Sequence, residues 1–282
     1  MKSMFEPINK RIKSLPADNK SSLMRSVDII APVFVYYFLS MFATYGAAYL
    51  VKLGEPESSL FVAQPVMSAA IIRITAVIIA VLPLIPLFMG ENPIVAQKGE
   101  KPLYILLTVL LAVALAMFLN MLFYKTGFST SSETFEGTAA RQLSLPVGLG
   151  VFVYGIITPI TEEIVYRGVV YNRVRRYFNL PMALIFSSLL FGIAHGNRVQ
   201  LVYGFLMGVV IGYIYERFGS FIYPMIFHCA ANTAVYIVMT DERLKEIITG
   251  NAGFVISGIC AATVSVLIAA MKRKDPKTVA EA

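Results

Sequence analysis

Charge is scarce in this chain, and so are the side chains that usually carry chemistry. Only 15% of the 282 residues are charged, and there are two histidines, two cysteines and no tryptophan. A soluble domain of this length carries about 25% charge. Together with 57% hydrophobic residues and a mean hydropathy of +0.70, this excludes an ordinary soluble globular domain. Cys229 and Cys260 lie in apolar stretches with no metal-type spacing, which excludes a disulfide framework or a cysteine metal centre. Both read as packing residues; Phe227 and Ala230 beside Cys229 supply no cation to activate a thiolate. There is no GxSxG and no HExxH, and the few aspartates fall outside the apolar runs or at their ends. Two common routes to hydrolysis are thereby removed. The net charge of +7 suggests nucleic acid at first sight, but the basic residues border apolar runs and lack aromatic interleaving, so no nucleic-acid partner is expected.

What is present is a series of long apolar runs, near 29–51, 67–89, 103–124, 147–170, 180–196, 199–215, 221–240 and 251–271. The expected fold is an all-α polytopic membrane protein of about eight transmembrane helices, because lipid requires every backbone group to be bonded within the span. The organisation reads as a tail over 1–26, three helices and their loops over 27–145, a core over 146–240, and a last helix with a basic tail over 241–282. Residues 1–26 are polar and mixed in charge, and the run after them is too long for a signal-peptide core, so it reads as a true span. With eight spans, Lys and Arg fall mostly on the side of the two termini, including Arg173, Arg175, Arg176 and Arg217. That bias places both termini in the cytoplasm. The compact length points to a prokaryotic plasma membrane. The polar stretch from Tyr124 to Pro146 reads as a surface loop or a lid. Arg73, inside the second run, either snorkels outward or pairs with a core carboxylate.

The remaining ionisable groups stand out because a charge at the bilayer centre costs about 2.5–3.5 kcal/mol on translocon scales. Glu162 and Glu163 are adjacent, Arg167 is four beyond Glu163, and both histidines, His195 and His228, lie in apolar runs. Helical spacing puts Glu163 and Arg167 on one face, leaving Glu162 turned by about 100° for another role. Pro159, upstream, loosens the backbone ladder. Phe191 shares a face with His195, and His228 shares one with Asn232. A carboxylate and an imidazole can share a water and remove its proton. A second imidazole and an amide can stabilise an oxyanion. Taken singly, each element has a plainer reading as a boundary charge cluster, an interfacial histidine or helix-to-helix glue; their coincidence in one chain favours a site. Gly204, Gly208 and Gly212 recur every four residues and read as a close-packing stripe.

These three elements resemble the CPBP family, also called the Abi or type II CAAX prenyl endopeptidase family. Its pattern is a glutamate pair with arginine four beyond the second, then FxxxH, then HxxxN. Here these are Glu162, Glu163 and Arg167, then Phe191 and His195, then His228 and Asn232. The match covers about 145–237; Tyr166 stands where many relatives carry Phe. The resemblance implies an intramembrane endopeptidase with a CAAX-endopeptidase-like reaction. It assigns Glu162 and His195 to water activation, His228 and Asn232 to the oxyanion, and Glu163, Arg167 and Phe191 to support. No cofactor is expected, since Asn is a poor zinc ligand; the alternative is zinc on Glu162, His195 and His228. The expected partners are the lipid bilayer and a peptide or membrane-protein substrate, lipidated or not. The competing readings are a non-catalytic immunity or scaffold protein on the same fold, and a proton-coupled transporter, which the lack of inverted-repeat symmetry disfavours.

Overall fold

The computed structural model describes residues 21–54, 64–91 and 102–271. The tail over 1–20 and the basic end over 272–282 lie outside the described residues. All regular structure among the described residues is helical. We number the helices α1 Ser22–Gly54, α2 Pro65–Gly90, α3 Pro102–Lys125, α4 Glu133–Leu143, α5 Val147–Tyr177, α6 Leu180–Ile193, α7 Arg198–Phe218, α8 Ile222–Thr240, α9 Glu242–Thr249 and α10 Asn251–Ala270. Helix begins at Ser22, so the expected boundary of the tail at residue 26 moves back.

Seven of these helices are long and apolar enough to cross a bilayer. The eighth apolar segment, α6, has 14 residues. At 1.5 Å per residue it rises about 21 Å, short of a ~30 Å hydrocarbon core. The fifth run was expected to reach residue 196, but the helix stops at Ile193 and the chain turns at Gly196, whose φ of 73° is left-handed. The α6–α7 hairpin nonetheless connects two polar layers. At its tip, Arg198 donates to the backbone carbonyl and hydroxyl of Ser131. At its base, Arg175 of α5 pairs with Glu216 of α7 at 2.8 Å.

The base layer is extensive. Arg173 pairs with Asp28 of α1 at 3.2 Å and with Glu91 after α2 at 2.9 Å, and Arg176 reaches the other Glu91 oxygen at 2.6 Å. Arg217 donates to the carbonyls of Ile268 and Ala269 at the end of α10. The start of α1 and the end of α10 therefore share one layer, as an even number of crossings requires. Pro32 contributes locally: lacking an N–H, it leaves the Asp28 carbonyl unbonded within α1, and Arg173 donates to that oxygen at 2.7 Å.

Two apolar cores flank the hairpin. One gathers α3, α7, α8 and α10 around Met117, Ile211, Phe227 and Val264; the other gathers α1, α2, α5 and α6 around Tyr36, Phe88, Val169 and Phe191. The glycine stripe lies where the hairpin and α5 close up. A Cβ at Gly204 would lie 3.3 Å from the Cα of Gly192, and one at Gly208 would lie 2.9 Å from the Cβ of Ser188. The polar Tyr124–Pro146 stretch is not a plain loop. It holds α4, capped by Ser132 accepting from the Phe135 N–H and tied down where Tyr236 donates to the carbonyls of Gln142 and Leu145.

Candidate active site

α5 carries the glutamate pair, and its backbone is not a regular α-helix. Val151–Ile157 and Ile164–Tyr171 are π-helical, with six α-helical residues between them that include both glutamates. Pro159 has no N–H to give the carbonyl four residues back, that of Gly155. The wider π turn directs that carbonyl and its neighbours sideways to α8: Asn232 donates to the Tyr154 oxygen at 3.2 Å and Thr233 to the Gly155 oxygen at 3.4 Å. Gly155 allows this approach, since a Cβ there would lie 2.5 Å from the Thr233 hydroxyl. Pro159 thus sets the seam between α5 and α8.

That seam brings α8 onto the glutamates. Glu163 is fully buried, and one of its oxygens takes two donors: Nη1 of Arg167 at 2.9 Å and Nδ1 of His228 at 2.7 Å. A carboxylate only accepts, so Nδ1 of His228 carries the hydrogen and Nε2 is the ring position left over. Nε2 faces Oε2 of Glu162 at 3.8 Å. That is too long for a direct hydrogen bond and suits two groups that contact a common third atom. The Glu162 side chain is 12% exposed, where Glu163 is sealed. The adjacent acids therefore sit in different surroundings, one holding and one open, as their angular offset on a helix implies.

Phe191 organises the other side. The Arg167 guanidinium lies over its ring at 4.8 Å, and the rings of His195 and His228 meet it edge-on at 4.9 and 5.5 Å. Arg167 also donates to the Gly208 carbonyl at 3.1 Å, which ties α5 to α7. His195 is oriented by its own helix end, with Nδ1 on the Phe191 carbonyl at 2.9 Å, so it too leaves Nε2 outward. Both imidazoles, both glutamates, Arg167 and Asn232 are thus gathered around Phe191 and the α5–α8 seam. Glu162 is within ion-pair distance of His228 and, among the described residues, not of His195.

Two residues on α1 were not singled out from sequence. Tyr36 shares a 3.1 Å hydrogen bond with Thr161, the neighbour of Glu162, and Tyr37 donates to the carbonyl of Ala194, the neighbour of His195. α1 is thereby laid across the front of the site. Tyrosines in an apolar helix carry no positional signature, so nothing in the sequence marked them. Among the described residues no three His, Cys, Asp or Glu side chains lie close enough to hold a metal ion. Glu162, His195 and His228, the residues that would hold zinc, are not such a group. A separate crevice lined by Leu111, Leu184, Val210, Tyr213 and Ile268 is almost wholly apolar and offers nothing for this chemistry.

Comparison with known proteins meets the site directly. Residues 145–234 match the family model described as type II CAAX prenyl endopeptidase Rce1-like. This segment is similar to the Rce1-like family. The Rce1-like stretch holds the glutamate pair, both histidines and Asn232. The chain is 29% identical over 119 residues to a Bacillus subtilis (strain 168) protein named "Putative membrane peptidase YdiL", covering 42% of this chain and 48% of that one. It is 26% identical over 125 residues to the UPF0177 protein YxdF of Lactococcus lactis subsp. lactis (strain IL1403), covering 44% of this chain and 69% of the relative. The similarity to the first thus spans about half of its length. No solved structure matches. The chain is an integral membrane protein whose central segment is similar to the Rce1-like family.

Proposed function

We propose that this protein is an intramembrane endopeptidase that hydrolyses a peptide bond with water activated at Glu162. The observation that carries the reading is the Glu163–His228–Glu162 alignment. One carboxylate fixes the imidazole at Nδ1, and the opposite nitrogen faces a second carboxylate across a 3.8 Å gap. Glu162, the open acid, takes the proton from water. His228 relays that proton to the leaving amine through Nε2. Asn232 keeps one amide hydrogen after bonding the Tyr154 carbonyl and donates it to the oxyanion; His195, whose ring hydrogen goes to the Phe191 carbonyl, offers a lone pair at Nε2 that accepts from the water and orients it. Glu163 and Arg167 position His228 and Phe191. This differs from the resemblance at both histidines: His228 leaves the oxyanion site and becomes the partner of Glu162 in place of His195, because it is the imidazole that faces that carboxylate. The substrate is a peptide segment delivered from the bilayer, and no metal takes part.

The reading is tested with monodisperse purified protein and a panel of quenched fluorogenic apolar peptides, with and without a chelator. Wild type cleaves, and chelation leaves the rate unchanged. His228→Ala lowers kcat by about 10²–10⁴-fold, the range of one lost acid–base group, and by more than His195→Ala does. A rate abolished by chelator and restored by zinc would overturn the metal-free mechanism. Absence of cleavage by folded wild type across the panel would overturn the peptidase reading.

A further inference from the structure

Tyr166 carries a polar group that the mechanism above leaves unused. The residue is 1% exposed, and its hydroxyl is sealed from solvent without a hydrogen-bond partner among the described residues. A buried hydroxyl normally has a partner, and one without it costs free energy. Phenylalanine would fill the same space without that cost. Tyr166 also lies on α5 four residues after Glu162. About one helical turn separates them, so they share a face. Long side chains on a helix lean toward its N-terminus, which carries the Tyr166 ring back toward the level of Glu162.

The contacts of the ring agree. Tyr166 meets Phe191 edge-on, with 5.0 Å between centroids. It thereby joins Arg167, His195 and His228 around the ring at the centre of the site. The Tyr166 hydroxyl neighbours that of Tyr37 but stays outside hydrogen-bond geometry. Tyr37 itself donates to the carbonyl of Ala194, next to His195. The free hydroxyl therefore ends between the Glu162 face of α5 and the His195 end of α6. Those are the two sides that hold the attacking water.

We propose that Tyr166 is a catalytic residue: its hydroxyl donates to the carbonyl oxygen of the scissile bond as that oxygen becomes the oxyanion. The reaction above gives the oxyanion one donor, Asn232. His195 presents a lone pair there, and Nε2 of His228 serves the leaving amine. An oxyanion accepts more than one hydrogen bond, and Tyr166 supplies the second. The phenol keeps its hydrogen throughout; no proton or electron pair passes through it, and the proton route from water through Glu162 and His228 is unchanged. A donor that bonds nothing at rest has no bond to break when charge develops, which is what preorganised stabilisation of a transition state requires. The inference rests on the peptidase reading, and the measurements below separate its failure from that of the reading.

Full-length Tyr166→Phe protein is compared with wild type in detergent by thermal midpoint, by kcat and KM on a cleaved fluorogenic peptide, and by affinity for the same peptide with a phosphinate in place of the scissile amide. The phosphinate is a tetrahedral anion that resists hydrolysis. The variant melts no lower than wild type, because the hydroxyl it loses bonds nothing in the free protein. Its kcat falls by about 10–100-fold, the range of one hydrogen bond to a charged acceptor, and KM stays within about twofold. Affinity for the phosphinate falls by a similar factor, since that peptide resembles the transition state. A midpoint several degrees below wild type would give the hydroxyl a structural partner and overturn the proposal. A raised KM with kcat unchanged would place its bond in the bound substrate rather than at the oxyanion, and would overturn it too. If wild type cuts and the variant matches it in kcat and in phosphinate affinity, the peptidase reading stands and this inference alone falls. If folded wild type cuts no peptide, the peptidase reading falls and takes the role of Tyr166 with it.

Discussion

Glu163 is the residue on which the site's order depends, because it hydrogen-bonds both Arg167 and His228. It is sealed from solvent, and a buried charge that loses its partner is costly. Arg167→Ala is expected to destabilise the protein by about 3–5 kcal/mol, read as a lowered thermal midpoint in detergent. Arg167→Lys is not expected to restore it, since lysine cannot reach Glu163 and the Gly208 carbonyl while stacking on Phe191. A midpoint within a degree of wild type for the alanine variant would refute this accounting. Part of this arrangement was legible in the sequence: the i, i+4 spacing marks Glu163 and Arg167 as a pair, and their offset from Glu162 marks two roles. The bond from Glu163 to His228 was not, because it joins residues 65 apart, and no local pattern sets which carboxylate an imidazole from another helix will meet. Tyr36 and Tyr37 were invisible for a related reason. Their hydroxyls matter only through the helices they happen to face.

At the scale of elements, the site depends on two departures from regular helix. One is the paired π stretches of α5, which turn the Tyr154 and Gly155 carbonyls toward α8. Pro159 signals a loosened ladder in the sequence, but neither the π geometry nor the use made of the freed carbonyl can be read from one proline. The other is the short α6, whose end sets the position of His195. Its contact with α7 is so close that a Cβ at Gly192 would lie 2.5 Å from the Leu201 carbonyl oxygen. Backbone cannot yield as a side chain can, so Gly192→Ala must spread the hairpin. A cost of about 1–3 kcal/mol is expected, with loss of activity larger than the loss of folded protein because His195 moves with the helix end. Activity falling only in proportion to folded protein would show that the hairpin angle does not matter. The stripe of Gly204, Gly208 and Gly212 did announce this packing in advance, since small residues at that spacing have no better use between helices.

For the whole molecule, the apolar runs gave the order of the apolar helices, because a long stretch without charge has few options in lipid. They overran the end of α6, which stops at Ile193 where the run was read to 196, and they passed over α4 and α9, which are too polar to register as runs. The ion pairs add what hydropathy lacks: two layers that fix which helix ends lie together. With the basic side taken as cytoplasmic, a cysteine replacing Glu133 on α4 is expected to react with a membrane-impermeant thiol reagent in intact cells. One replacing Phe178, in the layer of Arg173 and Glu216, is expected to react only after permeabilisation. Both belong in a background with Cys229 and Cys260 changed to alanine. The opposite labelling pattern would invert the assigned orientation and leave the fold intact.

The central claim is chemical: Glu162, the open member of the acidic pair, removes the proton from the attacking water. The most direct measurement is the single-turnover rate of peptide cleavage by Glu162→Gln protein with an unchanged thermal midpoint. Losing the base entirely predicts a rate at least about 10³-fold below wild type. A rate within tenfold of wild type would contradict the claim and return the search for the base to the two histidines.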